Sequence, residues 1–208
     1  MEQLETLAEA LIRRYRPEGM IVYGSFADGS RNAHSDFDAL LIADGPRRHD
    51  ASQIGDTVLD VFLYPPETFR QPFDPMDFVQ VFDGKILVDQ NGLAAALQTR
   101  VRDAIDNRPR KTPEELRQEL DWCRKMLLRT ARGDAEGDYR WHWLLCDSLE
   151  IYFDVTRRPY FGPKKALRTM EKEDPAAFRL YARALHSWDR NALADWITCL
   201  QAYLPSDE

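Results

Sequence analysis

The sequence predicts an α+β protein: a small mixed β-sheet with helices on one face, followed by an all-α helical bundle. Before residue 110, short β-branched runs alternate with turn signals; beyond it, apolar residues recur at three- and four-residue steps almost to the end. Between these regimes Asn107-Arg108-Pro109-Arg110-Lys111-Thr112-Pro113 holds two prolines and no apolar residue, and reads as a linker. The 208 residues therefore divide into a first domain over 1–108 and a second over 112–208.

Leu4, Leu7, Ala8, Leu11 and Ile12 share one helical face, which predicts a helix over 3–15. Gly19 leads into Met20-Ile21-Val22-Tyr23, a short strand. Gly24 to Ser35 is rich in Gly, Ser, Asn and Asp and reads as a loop with room for one helical turn. Residues 36–43 and 57–63 read as strands, the second ended by Pro65-Pro66. Asp83-Gly84 separates Phe78-Val79-Gln80-Val81-Phe82 from Lys85-Ile86-Leu87-Val88 and predicts a hairpin. Residues 92–106 return to helical spacing.

In the second half Thr112, Pro113 and Glu115 form a capping-box helix start, with Leu116, Leu120, Cys123 and Leu127 as the stripe behind it. Tyr139, Trp143, Cys146, Leu149 and Phe153 mark the next helix, stopped by Arg157-Arg158-Pro159. Three more are predicted by Ala166-Leu167-Met170, by Phe178, Tyr181 and Leu185, and by Leu193, Trp196, Leu200 and Tyr203. Short connections between such helices predict an up-and-down arrangement.

Composition excludes several classes. With 44% apolar and 30% charged residues the chain is too apolar for disorder. No apolar run approaches the ~20 residues of a membrane span, and the charged N-terminus lacks the apolar region of a secretory signal. Cys123, Cys146 and Cys199 each fall in a helical stripe and read as buried free thiols, so a reducing cytoplasm is the expected location. A net charge of −7 argues against an electrostatic nucleic-acid surface and suits cationic partners or metal-bridged anions.

The chemistry concentrates between Gly24 and Asp60. On a strand, Asp36 and Asp38 would send their carboxylates to one side, about 6.6 Å apart along the backbone. Two anions this close repel unless a cation lies between them, and oxygen ligands without Cys or His spacing point to Mg²⁺ or Mn²⁺. Asp60, isolated in Val58-Leu59-Asp60-Val61-Phe62, would supply a third carboxylate from a neighbouring strand. Such a trio can hold two metal ions roughly 4 Å apart for in-line phosphoryl chemistry. Gly24 and Ser25 follow a strand directly, where amides and a hydroxyl can meet phosphate oxygens. Ser35 opens the Asp-x-Asp strand beside them, and Arg31 could neutralise a phosphate or be solvated. His34, His49 and His142 show no ligand spacing.

At these residues the sequence resembles the DNA polymerase β nucleotidyltransferase superfamily, in particular its small bacterial branch. The motif of that branch runs Gly-Ser, a Gly-containing spacer, Asp-x-Asp and a third Asp on a later strand, filled here by Gly24, Ser25, Gly29, Asp36, Asp38 and Asp60. The branch includes aminoglycoside and lincosamide nucleotidyltransferases, whose helical bundle closes over the acceptor, and minimal forms that partner helical toxin-like subunits. The resemblance implies that Asp36 and Asp38 bind Mg²⁺ and a nucleoside triphosphate and that Ser25 touches phosphate. It makes Asp60 a third ligand or the group that activates the acceptor hydroxyl.

Elsewhere, Lys164 and Lys165 stand at a helix start where they could reach the β/γ-phosphates or simply be solvated. Glu150, beside Leu149 and Ile151, is the candidate general base of the helical domain, as a glutamate is in some antibiotic-modifying relatives. The expected activity is transfer of NMP from the triphosphate to a hydroxyl of a small, antibiotic-like acceptor, with release of pyrophosphate. Transfer of AMP to a protein side chain and an inactive nucleotide-binding module are the alternatives. The chain leaves a homodimer open.

Overall fold

Nearly continuous apolar runs in the central strands of the first half build a sheet with two apolar faces. The computed structural model describes residues 2–204, which fall into two compact units that divide between Arg108 and Pro109. Met1 and residues 205–208, at the outer ends of the two expected domains, lie outside the described residues. The architecture is α+β.

The first unit runs α1 (Glu2–Tyr15), β1 (Gly19–Val22), α2 (Ser25–Asp28), β2 (Phe37–Ile42), β3 (Arg48–Asp50), β4 (Gln53–Ile54), β5 (Thr57–Tyr64), α3 (Glu67–Arg70), a 3₁₀ segment (Pro75–Val81), β6 (Lys85–Asp89) and α4 (Leu93–Asp106). The strands form one mixed sheet in the order β3-β5-β2-β1-β6, with β4 also paired to β5. β2 and β5 are parallel, and the other pairs antiparallel.

One face of the sheet (Met20, Val22, Phe37, Ala39, Leu41, Leu59, Val61 and Leu63) packs on Leu7, Ala8 and Leu11 of α1 and on Phe26 and Ala27 of α2. The other (Ile21, Leu40, Ile42 and Tyr64) packs on Phe69 of α3, on Phe78 and Val81, and on Ala94, Leu97 and Val101 of α4. Helices thus cover both faces rather than one. The reason is visible in β2, where Ala39-Leu40-Leu41-Ile42 is apolar at every position and fully buried, the pattern of a strand covered on both sides.

The hairpin expected at Asp83-Gly84 does not form. Pro75–Val81 is a 3₁₀ segment capped by the Asp74 side chain, which accepts from the Met76 amide; Phe78 and Val81, three residues apart, are its buried pair. Gly84 serves a different purpose from a hairpin turn. A Cβ there would lie 2.6 Å from Ile21 Cγ2 and 3.0 Å from the Val22 carbonyl, so the glycine lets the chain pass close to β1.

The edge strand β3 is fastened to α1. Tyr15 donates its hydroxyl to Asp50 Oδ2 at 2.6 Å, Arg14 reaches the same oxygen at 3.0 Å, and the Ser52 amide donates to Oδ1 at 2.9 Å. Burial pushes the Asp50 carboxyl up, but hydrogen bonds from Tyr15, Ser52 and Arg14 outweigh it and bring the group from 3.8 to about 2. A depressed folded-state value contributes stability in full above pH 3.8, and that stability is lost as the pH falls toward 2. Asp50→Asn should therefore lower stability by about 2 kcal/mol at pH 5. The gap to the wild type should close by pH 2 in urea melts at the two pH values.

The second unit comprises α5 (Pro113–Arg129), a 3₁₀ turn (Thr130–Arg132), α6 (Ala135–Val155), α7 (Pro163–Glu173), α8 (Pro175–His186) and α9 (Arg190–Gln201). α5 opens on the capping box, with the Glu115 amide donating to Thr112 Oγ1 at 3.2 Å and the Thr112 amide to the Glu115 carboxylate at 2.7 Å. Its core gathers Leu120, Cys123, Leu144, Tyr152, Met170, Tyr181 and Trp196. Trp196 Nε1 donates to the buried Ser148 hydroxyl at 2.9 Å. Cys123 is buried, Cys199 is partly buried and Cys146 is exposed, all three as free thiols. Cys146 corrects the expectation of a buried thiol: it falls on the solvent side of α6, between buried Leu145 and half-buried Asp147. Among the described residues no helix is long and apolar enough to cross a membrane.

Candidate functional site

The strand register decides which of the acidic residues meet. On parallel β2 and β5, Asp38 lies directly opposite Asp60, so both side chains leave the same face of neighbouring strands about 4.8 Å apart. That face is the one carrying Leu40, Phe62 and Tyr64. Both carboxylates are half-buried at the end of the sheet where β1 stops and β2 begins. Asp36 stands one residue ahead of β2 and is exposed. It follows a turn in which the Ser35 hydroxyl accepts from the Asn32 amide at 2.9 Å and the Ser35 amide donates to the Asn32 carbonyl. Among the described residues no cluster of three His, Cys, Asp or Glu side chains is gathered for a metal ion. What the sheet assembles is the pair Asp38 and Asp60.

Two neighbours define the pair's surroundings. The Tyr23 amide, just beyond β1, donates to the Asp38 carbonyl at 3.1 Å. The Tyr23 hydroxyl is held well above the usual phenol range, first by burial, then by the negative charges of Asp60 and Asp38 and by Tyr64. One phenol thus feels both carboxylates. Gly24 follows at φ +65° and ψ −150°, and a Cβ on it would meet Asp38 Oδ2 well inside van der Waals contact. The backbone after β1 approaches the Asp38 carboxylate as closely as a residue without a side chain allows.

Ser25 is the first residue of the single-turn α2, its carbonyl accepting from the Gly29 amide at 3.1 Å. Arg31 packs its guanidinium 5.4 Å from the Phe26 ring centre and hydrogen-bonds Gln3 of α1. Gln3 in turn donates to Thr57 Oγ1 at 3.0 Å. These contacts tie Arg31 to the wall between α1 and α2. Asp60 has a partner that its lone position in a β-run did not announce: His49 of β3, whose Nε2 lies 2.6 Å from Asp60 Oδ1. The imidazole stacks on Phe62 at 4.5 Å between ring centres. Tyr23 and His49 are the site residues that motif reading missed. The signal for Tyr23 was its place directly before Gly24; for His49 there was none, because nothing in Arg48-His49-Asp50 marks a strand.

In the second unit Glu150 is exposed on α6 and lines a cavity of about 440 Å³ together with Lys111, Glu119, Trp122 and Asp147. Lys111 bridges Glu119 and Asp154, at 2.7 Å for the latter. Burial alone would lower its pKa, but the hydrogen bonds and charges of those two carboxylates raise it. Trp143 donates to Asp147 Oδ2 at 2.6 Å. Glu119 Oε2 is buried and has no hydrogen-bond partner. Lys164 and Lys165 are the second and third residues of α7, with Lys165 Nζ 5.5 Å from the Phe161 ring centre.

Compared with known proteins, the chain matches no family model and no curated protein sequence.

Proposed function

We propose that the protein is a metal-dependent nucleotidyltransferase. The first unit would be the nucleotidyltransferase domain, and the helices of the second a bundle that serves the acceptor. The observation that carries this reading is the register of β2 against β5, which sets Asp38 opposite Asp60 beside a glycine that admits no side chain. Like charges placed directly opposite on a sheet repel, and a bound cation would relieve that repulsion. Two carboxylates fit Mg²⁺ or Mn²⁺, which take oxygen ligands and are commonly held by one or two carboxylates with substrate phosphates. Asp38 would hold the ion, with Asp60 as a further ligand or as acceptor of the hydroxyl proton, and Asp36 close by in the chain. The bound ion would supply neutralisation of phosphate charge and polarisation at the α-phosphorus.

The rest is orientation by the chain itself. Ser25 and the amides after Gly24 would receive phosphate oxygens of the nucleoside triphosphate. The acceptor's hydroxyl oxygen attacks the α-phosphorus and its proton passes to a carboxylate. The bond to the bridging oxygen breaks, and pyrophosphate leaves with the electron pair. Most of the rate comes from position and charge, as is usual in phosphoryl transfer. The acceptor's class is suggested by the cavity of the second unit, where three carboxylates against one lysine, with Trp122, suit a small organic cation bearing a ring.

The test is pyrophosphate release from each of four Mg²⁺–nucleoside triphosphates, offered with a pool of aminoglycosides, lincosamides and lysate proteins. Release with at least one triphosphate, abolished by EDTA and restored by Mg²⁺, is the expected result. No release, together with no calorimetric binding of any Mg²⁺–triphosphate, would end the proposal.

A further inference from the structure

We infer that His49 is a positioning residue for Asp60, holding its carboxylate in the orientation that the transfer step uses. The role rests on the nucleotidyl-transfer reading above and adds a residue that the motif does not contain. An ionised carboxylate only accepts hydrogen bonds, so the 2.6 Å contact between His49 Nε2 and Asp60 Oδ1 places the ring proton on Nε2. Oδ1 is then engaged by His49, and Oδ2 is the oxygen His49 leaves to other partners.

The imidazole is held on several sides. β3 sets His49 opposite Phe62 and Asp50 opposite Val61, and the ring lies nearly parallel to the Phe62 ring, at 17°. The adjacent Asp50 is fastened to Tyr15 and Arg14 of α1. The backbone that carries the ring is thus fixed, and the ring itself is held between Phe62 and Asp60. Stability does not explain the pair, because its side chains are 45% and 41% exposed and ion pairs this open contribute little. Orientation of a carboxylate beside Asp38 does explain it. Residues that orient a site carboxylate from behind commonly matter 10–100-fold.

The experiment compares wild type, His49→Leu and His49→Gln in the pyrophosphate assay with the same acceptor pool. Affinity for a non-hydrolysable Mg²⁺–ATP analogue is measured alongside by calorimetry. His49→Leu is expected to lower kcat about 10–100-fold with analogue affinity within about threefold of wild type, since Asp38 and the phosphate contacts remain. His49→Gln, which keeps an N–H donor at nearly the same reach, should recover most of the rate. Wild-type kcat in His49→Leu overturns the role. So does a His49→Gln variant as slow as His49→Leu, or an affinity that falls in step with kcat. A wild type that releases no pyrophosphate overturns the transfer reading and this role with it, whereas an active wild type with an indifferent His49 overturns the role alone.

Discussion

Asp38→Asn is expected to slow pyrophosphate release by about 10³-fold, because charge stabilisation by a bound divalent ion is worth several kcal/mol and each 1.36 kcal/mol is a factor of ten. The same variant should stay close to the wild type in stability in metal-free buffer. Asp38 faces Asp60 on the adjacent strand, and removing one of two like charges directly opposite relieves a repulsion of about 0.2–1 kcal/mol. The combination of lost activity and unchanged or raised stability separates a functional carboxylate from a structural one. A structural Asp38, satisfied by protein hydrogen bonds alone, would show the reverse: a lowered urea midpoint and a rate close to wild type. Pyrophosphate release and urea melts with and without Mg²⁺ make the comparison, and Mg²⁺ should stabilise the wild type only.

Gly24→Ala is the second large effect. With φ at +65° and ψ at −150°, Gly24 occupies a region of backbone space that is essentially closed to other residues and costs about 1–3 kcal/mol to force. The new methyl would also press on Asp38, with Cγ at 3.1 Å from it. Either the carboxylate moves off its place opposite Asp60 or the turn into α2 opens. Each outcome removes the juxtaposition on which transfer depends. A loss of about 1–3 kcal/mol in urea melts and a fall in pyrophosphate release of at least about 10²-fold are expected, the latter comparable with removal of one stabilising group from an active site. Gly29→Ala is the control. It too has positive φ, at +81°, but a Cβ there meets nothing within 4 Å, so it should lose stability without a comparable loss of rate.

Much of the fold was legible where local signals and tertiary demands agree. The α1 stripe, the apolar run of β2, the β-branched run of β5 and the Thr112/Glu115 capping box all appear where their patterns put them. Failures came where a local signal was true but served another end. Asp83-Gly84 does mark a turn, yet Gly84 is there because β1 passes too close for a side chain. Phe78 and Val81 satisfy a three-residue spacing that a short run cannot distinguish from alternation. β3 was invisible because Arg48, His49 and Asp50 have no strand preference; the pairing with β5 and the contacts to α1 create it. For the site, Asp-x-Asp was readable, but Asp36 falls outside the ladder because the Asn32–Ser35 turn delivers the chain one residue later. The juxtaposition of Asp38 and Asp60, 22 positions apart in the chain, is a matter of register between two strands that no local rule fixes.

The brevity of β3 also governs how the molecule behaves in a crowd of its own kind. An outer strand of three residues, carrying Arg48, His49 and Asp50, offers a passing chain too few free amides and carbonyls to template on, and charges where amyloid-like stacking wants neutral side chains. On that side the β-layer is closed to edge-to-edge growth, a safeguard against aggregation that comes from the same three residues that flank the acidic pair.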